Sequence, residues 1–167
     1  MNLMVLSLSH FFHLIATVVW IGGIFMVLLV ILPSARKSLE PSAMGGLMKE
    51  ITGKFTPLAN TSILVMVITG VIIALYKEKF GGFFQVGDLW NGTLVFKHLL
   101  VALMIIIHFY RGMVLAPRIG RLAAQAAGSP SLSSQVAGLQ KLSLNLVKVN
   151  FVLGIIVLLV TGVLMSN

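Results

Sequence analysis

The sequence has no cysteine and few charged residues. Without cysteine the chain cannot form a disulfide, a thiolate metal site or a thiol nucleophile. Only 10% of its 167 residues are charged and 58% are hydrophobic, whereas a soluble domain has about 25% charged residues. Too few polar side chains remain to cover a surface in contact with water, so the composition predicts that lipid is the solvent.

Acidic residues are the scarcest charged type. There are four, and all lie in the predicted connections between apolar segments (Glu40, Glu50, Glu78 and Asp88). No carboxylate pair therefore lies at membrane depth, which argues against a carboxylate-based ion pump. The chain also has no phosphate-binding glycine loop and no Ser-His-Asp arrangement, so neither nucleotide-dependent nor hydrolytic chemistry is indicated.

Four apolar segments approach or exceed the roughly 20 residues needed to cross a ~30 Å hydrocarbon core. They cover residues 3–32, 57–76, 93–116 and 144–165. Because unpaired backbone groups cannot face lipid, and these segments are too long for barrel strands, we predict helices. The predicted fold is an all-α integral membrane protein, with a single domain of four transmembrane helices over residues 1–167.

The connections between the spans are predicted to differ in structure. Pro33 is expected to end the first span and Pro117-Arg118 the third, and the third helix is expected to continue beyond its span, past Arg121 towards Ala127. Residues 38–54 are expected to hold a short interfacial helix, and residues 79–92 an irregular outer loop. Gly128-Ser129-Pro130 is expected to separate the third helix from the fourth.

The net charge of +8 is distributed unevenly. Nine cations lie in or beside the first and third connections (Arg36, Lys37, Lys49, Lys54, Arg111, Arg118, Arg121, Lys141 and Lys148), and three lie in the second (Lys77, Lys79 and Lys97). This bias predicts a multi-pass protein of the cytoplasmic (inner) membrane with both termini outside, and it does not indicate nucleic-acid binding. Residues 1–4 lack the basic region of a signal peptide, so the first span is expected to be retained.

A weak internal repeat relates the two halves of the chain. Residues 12–16 resemble residues 97–101, and Thr69-Gly70-Val71 reappears as Thr161-Gly162-Val163. The repeat predicts two tandem helical hairpins. Chance similarity between short apolar motifs is the alternative.

All four histidines, His10, His13, His98 and His108, lie in the first and third spans. Ionisable side chains at this depth usually face the bundle interior as part of a site or relay; the alternative is neutral histidines that hydrogen-bond to neighbouring helices. At ~1.5 Å per residue, His13 and His98 lie at similar depths near the outer end, whereas His108 lies about 15 Å deeper than His98. His13 and His98 are therefore the predicted metal ligands, with His10 as the substitute for His13.

Two imidazoles from facing helices, without a cysteine or carboxylate nearby, suit the iron of haem b. Copper or zinc would need a further ligand, which only His10 could supply. Thr17 and Trp20 follow His13 on one helix face and would line the porphyrin, and Lys97 would pair with a propionate. The alternatives are packing for Trp20 and a snorkelling lysine for Lys97. The predicted cofactor-binding set is His10, His13, Thr17, Trp20, Lys97, His98 and His108.

The segment from His13 to Gly23, followed by Pro33, resembles the first helix of the CopD-type membrane domain and of the related HemJ-type membrane protoporphyrinogen oxidase. Thr69-Gly70-Val71, Lys97 and Pro117-Arg118 are also similar to the CopD-like pattern. The step of eleven residues from Lys97 to His108 is similar to a lysine-to-histidine spacing in the oxidase family. The resemblance covers nearly the whole chain.

This resemblance implies a small multi-helix membrane protein. The oxidase binds b-type haem and depends on a first-helix histidine and a third-helix lysine, which correspond to His13 and Lys97, whereas CopD is associated with copper uptake. The oxidase has an Asn-Glu-x-Pro element where this chain has Asn150-Phe151-Val152-Leu153. The oxidase also has an arginine and a histidine soon after the first-helix tryptophan, where this chain has only Arg36 and Lys37. The broader CopD-like assignment is therefore preferred.

These observations lead to one predicted function and three alternatives. The predicted function is a membrane protein that binds b-type haem, for electron transfer or as a subunit of a redox complex. The alternatives are protoporphyrinogen IX oxidation, copper transport or homeostasis, and a small helical subunit with structural histidines. The expected partners are membrane lipid, with other membrane redox subunits or a second copy of this chain.

Overall fold

The computed structural model describes residues 3–76, 89–126 and 129–166. These residues form four long helices, α1 (Leu3–Ser38), α2 (Pro41–Leu75), α3 (Leu89–Gln125) and α4 (Pro130–Ser166). Each helix is long and apolar enough to cross a membrane, and the described residues include no strand. The prediction of an all-α protein with four transmembrane helices is confirmed, while the orientation of its termini stays a prediction.

The helices are longer than the predicted spans. A helix of 35 residues is about 50 Å long, which exceeds a ~30 Å hydrocarbon core. The interfacial helix expected within residues 38–54 is not a separate element, because residues from Pro41 onwards form the first turns of α2. Pro41 begins this helix without the loss of a hydrogen bond, since the backbone N–H that proline lacks would have no acceptor within the first turn.

Pro33 does not end its helix, which corrects the expectation from the sequence, and the third helix continues through Pro117, as its predicted extension past Arg121 requires. Pro33 lies two residues after a π-helical stretch at Met26–Ile31, and Pro117 lies two residues after another at Arg111–Leu115. Proline lacks an N–H and its ring clashes with the carbonyl four residues earlier. The wider π turn places one more residue in the turn before each proline, which gives the helix room to continue.

The connection after α2 is shorter than predicted. Residues 89–92, expected in the irregular outer loop, form the first turn of α3, where the Thr93 hydroxyl donates to the Leu89 carbonyl at 2.7 Å. The expected continuation of the third helix is confirmed as far as Gln125. The remainder of the predicted outer loop and Gly128 lie outside the described residues.

The chain divides into two compact units, Met1–Val95 and Phe96–Asn167. The first contains α1, α2 and the beginning of α3, and the second contains the rest of α3 with α4. The two tandem hairpins predicted from the repeat stay a prediction. The single-domain organisation stays a prediction.

Large apolar side chains point outward on all four helices. The exposed fraction is 63% for Leu14, 60% for Leu64, 64% for Ile106 and 67% for Leu159. Such surfaces are unfavourable in water and favourable against lipid chains. The structure therefore describes a multi-pass membrane protein, and assignment to the inner membrane stays a prediction.

The two helices of the first unit are antiparallel and in close contact. His13 of α1 contacts Thr69 of α2, and Gly23, further along α1, packs against the ring of Phe55, which precedes Thr69 on α2. A Cβ atom at Gly23 would overlap the Phe55 ring, whereas a Cβ atom at Gly22 would lie 3.9 Å from its nearest neighbour, Val18 Cγ1. Gly23 therefore sets how closely the helices approach, in the way small residues do in membrane interfaces.

We predict that Gly23→Ala destabilises the protein by about 1–3 kcal/mol, because the added methyl group forces the Phe55 ring to move. Gly22→Ala is the matched control, and it is expected to be neutral or to stabilise by up to about 1 kcal/mol through helix propensity. Thermal unfolding of both variants in detergent measures the difference. Equal unfolding temperatures for the two variants would contradict the assigned role of Gly23.

Candidate functional site

His13 lies in a buried row that runs along α1. Buried residues recur every few positions on both helices of the first unit, at Ser9, Ala16, Trp20 and Ile24 on α1 and at Ala59, Ile63, Met66 and Thr69 on α2. This spacing is typical of a helix with one face turned towards a neighbour. His13, itself half-buried, lies between Ser9 and Ala16 in this row.

The imidazole of His13 is hydrogen-bonded to Thr69, with 2.9 Å between Nδ1 and Oγ1. The Thr69 hydroxyl donates its own proton to the α2 backbone, at 2.6 Å from the Val65 carbonyl oxygen. We assign the hydroxyl proton to the Val65 carbonyl because that contact is the shorter one, and Thr69 Oγ1 then accepts a proton from His13 Nδ1. In the neutral ring Nε2 then carries the lone pair, which is the arrangement that outer partners impose on metal-binding histidines.

Gly70 provides the space that the His13 ring occupies. A Cβ atom at position 70 would lie 3.2 Å from His13 Cε1 and 3.7 Å from Nδ1, which is tighter than ordinary packing for the first of these atoms. In the second copy of this motif, a Cβ atom at Gly162 would have no neighbour within 4 Å. The Thr161 hydroxyl donates to the Val157 carbonyl at 2.7 Å. The histidine–threonine contact is therefore a feature of the first copy of the repeat.

His10 has the same tautomer as His13. Its Nδ1 lies 2.9 Å from the carbonyl oxygen of Leu6, and since a carbonyl can only accept, Nδ1 carries the proton and Nε2 the lone pair. His10 and His13 are three residues apart and therefore neighbours on the helix surface. Thr17, by contrast, donates its hydroxyl proton to the His13 carbonyl at 2.8 Å.

The remaining predicted site residues are distributed over both units. Trp20 is 1% exposed. Lys97 and His98 are half-buried on α3, and His108 is buried with its ring 5.4 Å from that of Phe109 in an edge-to-face arrangement. His13 belongs to the first unit and His98 to the second, so their pairing at one metal stays a prediction. Within the described ranges, no three residues of the types His, Cys, Asp and Glu form a group that could hold a metal ion.

Asn150 and Arg111 each make a polar contact between α3 and α4 in the described part of the second unit. Asn150, 2% exposed, donates from Nδ2 to the Met104 carbonyl at 3.2 Å. Arg111 donates from Nε to Ser143, at 3.1 Å from its carbonyl oxygen and 3.2 Å from Oγ. Met104 and Arg111 are seven residues apart on α3, and Asn150 and Ser143 are seven residues apart on α4 in the opposite direction. Both contacts therefore belong to one antiparallel register.

Sequence reasoning did not identify Thr69 as the partner of His13, nor Asn150 and Arg111 as cross-helix donors. The available signal was a polar residue within an apolar run, since such residues usually face protein and find a partner there. That signal indicates that a residue needs a hydrogen-bond partner, but it does not indicate which residue the partner is.

We predict that Thr69→Val shifts the His13 tautomer. Loss of the Oγ1 acceptor removes the preference for a proton on Nδ1, so a mixture of Nδ1–H and Nε2–H forms replaces the single form. Thr161→Val is the matched control, because it also removes a hydroxyl bonded to its own helix but leaves His13 unchanged. Nitrogen chemical shifts of ¹⁵N-histidine-labelled protein measure the tautomer, and unchanged His13 signals in Thr69→Val would show that the hydrogen bond does not set it.

Comparison with known proteins gives one family. Residues 49–164 match the family described as CopD, copper resistance protein D. No curated protein and no solved structure matches the chain. The matched range includes Thr69 and Gly70, and it begins after His10 and His13.

Proposed function

This chain belongs to the CopD family, and we propose that it is a membrane protein of copper homeostasis that binds copper as its cargo at His13. The observation that carries the proposal is the hydrogen bond from His13 Nδ1 to Thr69, which leaves the lone pair of the neutral ring on Nε2, the atom that would bind the ion. Imidazole nitrogen is a good ligand for copper. The family description, copper resistance, supports copper as the ion.

His10 supplies a second imidazole of the same kind. Its Nδ1 bond to Leu6 makes Nε2 the ligating atom, and it lies one turn from His13. The described residues hold no group of three or more His, Cys, Asp and Glu side chains that could hold a metal ion, so the proposed site consists of the pair His10 and His13. A site with few ligands exchanges its ion readily, which favours transfer of copper over its storage.

We expect His13→Ala to weaken Cu(I) binding by more than about a hundredfold, since losing even an outer partner of a metal ligand costs about 10- to 100-fold. Gly70→Ala is expected to cost about tenfold, because its methyl group would displace the His13 ring. Gly162→Ala is the matched control and is expected to leave binding unchanged. Competition for Cu(I) between detergent-purified protein and a chromogenic chelator measures all three, and wild-type affinity in His13→Ala would refute the proposal.

Haem b is the second candidate ligand, for a protein of electron transfer. The same Nδ1 hydrogen bond would orient His13 towards haem iron through Nε2. When bound, haem would supply one-electron redox chemistry and His13 would hold its iron, while His98 as a second iron ligand stays a prediction from the sequence. In this case Lys97 would hold a propionate, and the partners would be other membrane redox subunits or a second copy. Protoporphyrinogen oxidation stays a prediction from the oxidase resemblance.

An absorption spectrum separates the two candidates. Protein purified from haem-replete cells is expected to show no Soret band and to bind added Cu(I). A Soret band that disappears in His13→Ala and remains in Gly162→Ala would instead establish haem as the ligand. The copper proposal would then be replaced by the haem proposal.

A further inference from the structure

Arg111 is held at one end of its guanidinium by the neighbouring helix. Its Nε–H donates to both the carbonyl oxygen and Oγ of Ser143, at 3.1 and 3.2 Å. A guanidinium has five N–H donors in a planar fork, so this contact uses one and fixes the plane of the rest. Arg111 makes no ion pair with any residue that the structure describes.

The second unit cannot neutralise this charge by itself. Residues 96–167 contain no Asp or Glu, while they contain six cations (Lys97, Arg111, Arg118, Arg121, Lys141 and Lys148). An arginine at the edge of an apolar span is costly without a counter-charge. Any anion that meets the Arg111 guanidinium within this unit must therefore come from outside it.

The position of Arg111 along α3 sets its depth in the membrane, and this depth indicates which kind of anion it would meet. Arg111 lies 18 residues beyond Thr93, where the apolar span begins, which is about 27 Å along the helix. The hydrocarbon core is ~30 Å thick, so the backbone of Arg111 lies just inside its far boundary, and the long side chain can extend to the headgroup phosphates. Arg118 lies further along α3, beyond the π-helical stretch at Arg111–Leu115, and is exposed.

We propose that Arg111, positioned by Ser143, binds a phosphate group, which an anionic phospholipid supplies at this depth. The planar guanidinium donates paired hydrogen bonds to phosphate oxygens, and this geometry suits arginine better than lysine. The other cations of the unit add a general attraction to an anionic membrane surface. The site lies wholly in the second unit and does not depend on copper or haem binding by the first.

Native mass spectrometry of the full-length protein, titrated with dioleoylphosphatidylglycerol, tests the proposal. We expect Arg111→Gln to lower the affinity about fiftyfold, from loss of both the charge and the directed hydrogen bonds. Arg121→Gln is the matched control, with the same loss of charge from an exposed arginine of the same helix, and is expected to cost about fivefold at most. Equal losses in the two variants would overturn the site, since surface charge alone would then explain binding.

Two further ligands identify the source of the phosphate. Dioleoylglycerol has the same acyl chains without phosphate, and equal binding of this lipid would overturn the proposal. Inorganic phosphate that binds as tightly as the phospholipid, and is lost in Arg111→Gln, would overturn the lipid source and identify a soluble phosphate. If Arg111→Gln does not fold, Arg111→Lys keeps the charge and is expected to cost about tenfold through the lost fork geometry; wild-type affinity in that variant would contradict the proposal.

Discussion

The hydrocarbon core of a membrane offers no hydrogen-bond partner to a polar group, and this constraint governs both the backbone and the polar side chains of this protein. The backbone satisfies it by forming four long helices. Hydroxyl groups satisfy it within their own helix, as Thr17 does by donating to the carbonyl four residues earlier. His13, Asn150 and Arg111 instead reach the neighbouring helix of their own unit. These bonds between helices help to set which helix faces meet, and two of them involve the residues of the candidate copper and phosphate sites, His13 and Arg111.

The polar contacts of the two units suit different ligands, although each unit contains an antiparallel pair of helices. In the first, the contact with Thr69 determines which nitrogen of a neutral imidazole carries the lone pair, which suits a metal ion or haem iron. In the second, Ser143 positions a cation in a unit that contains no acidic residue, which suits an anion. The repeated Thr-Gly-Val motif has its histidine contact only in the first copy among the described residues.

The copper proposal joins a residue outside the matched family range to one inside it. The match begins at residue 49, so it includes Thr69 but not His13. The family description therefore indicates copper as the ion, and the hydrogen bond between His13 and Thr69 indicates which atom would bind it. Copper and haem would both use the same nitrogen of His13, and for this reason the absorption spectrum, which reports the ligand directly, distinguishes them better than any substitution of His13.

The sequence by itself determined that four apolar helices cross a membrane and that polar residues such as His13 and Arg111 lie within or beside them, because hydropathy is a property of each residue and its near neighbours. Only the tertiary structure decided that the first helix continues through Pro33, since the π turn that makes room for this proline leaves no mark in composition. It also decided that Thr69, 56 residues from His13 along the chain, is the partner of that histidine. Such partners depend on the register between two helices, which is set by packing along their whole length and not by any short motif.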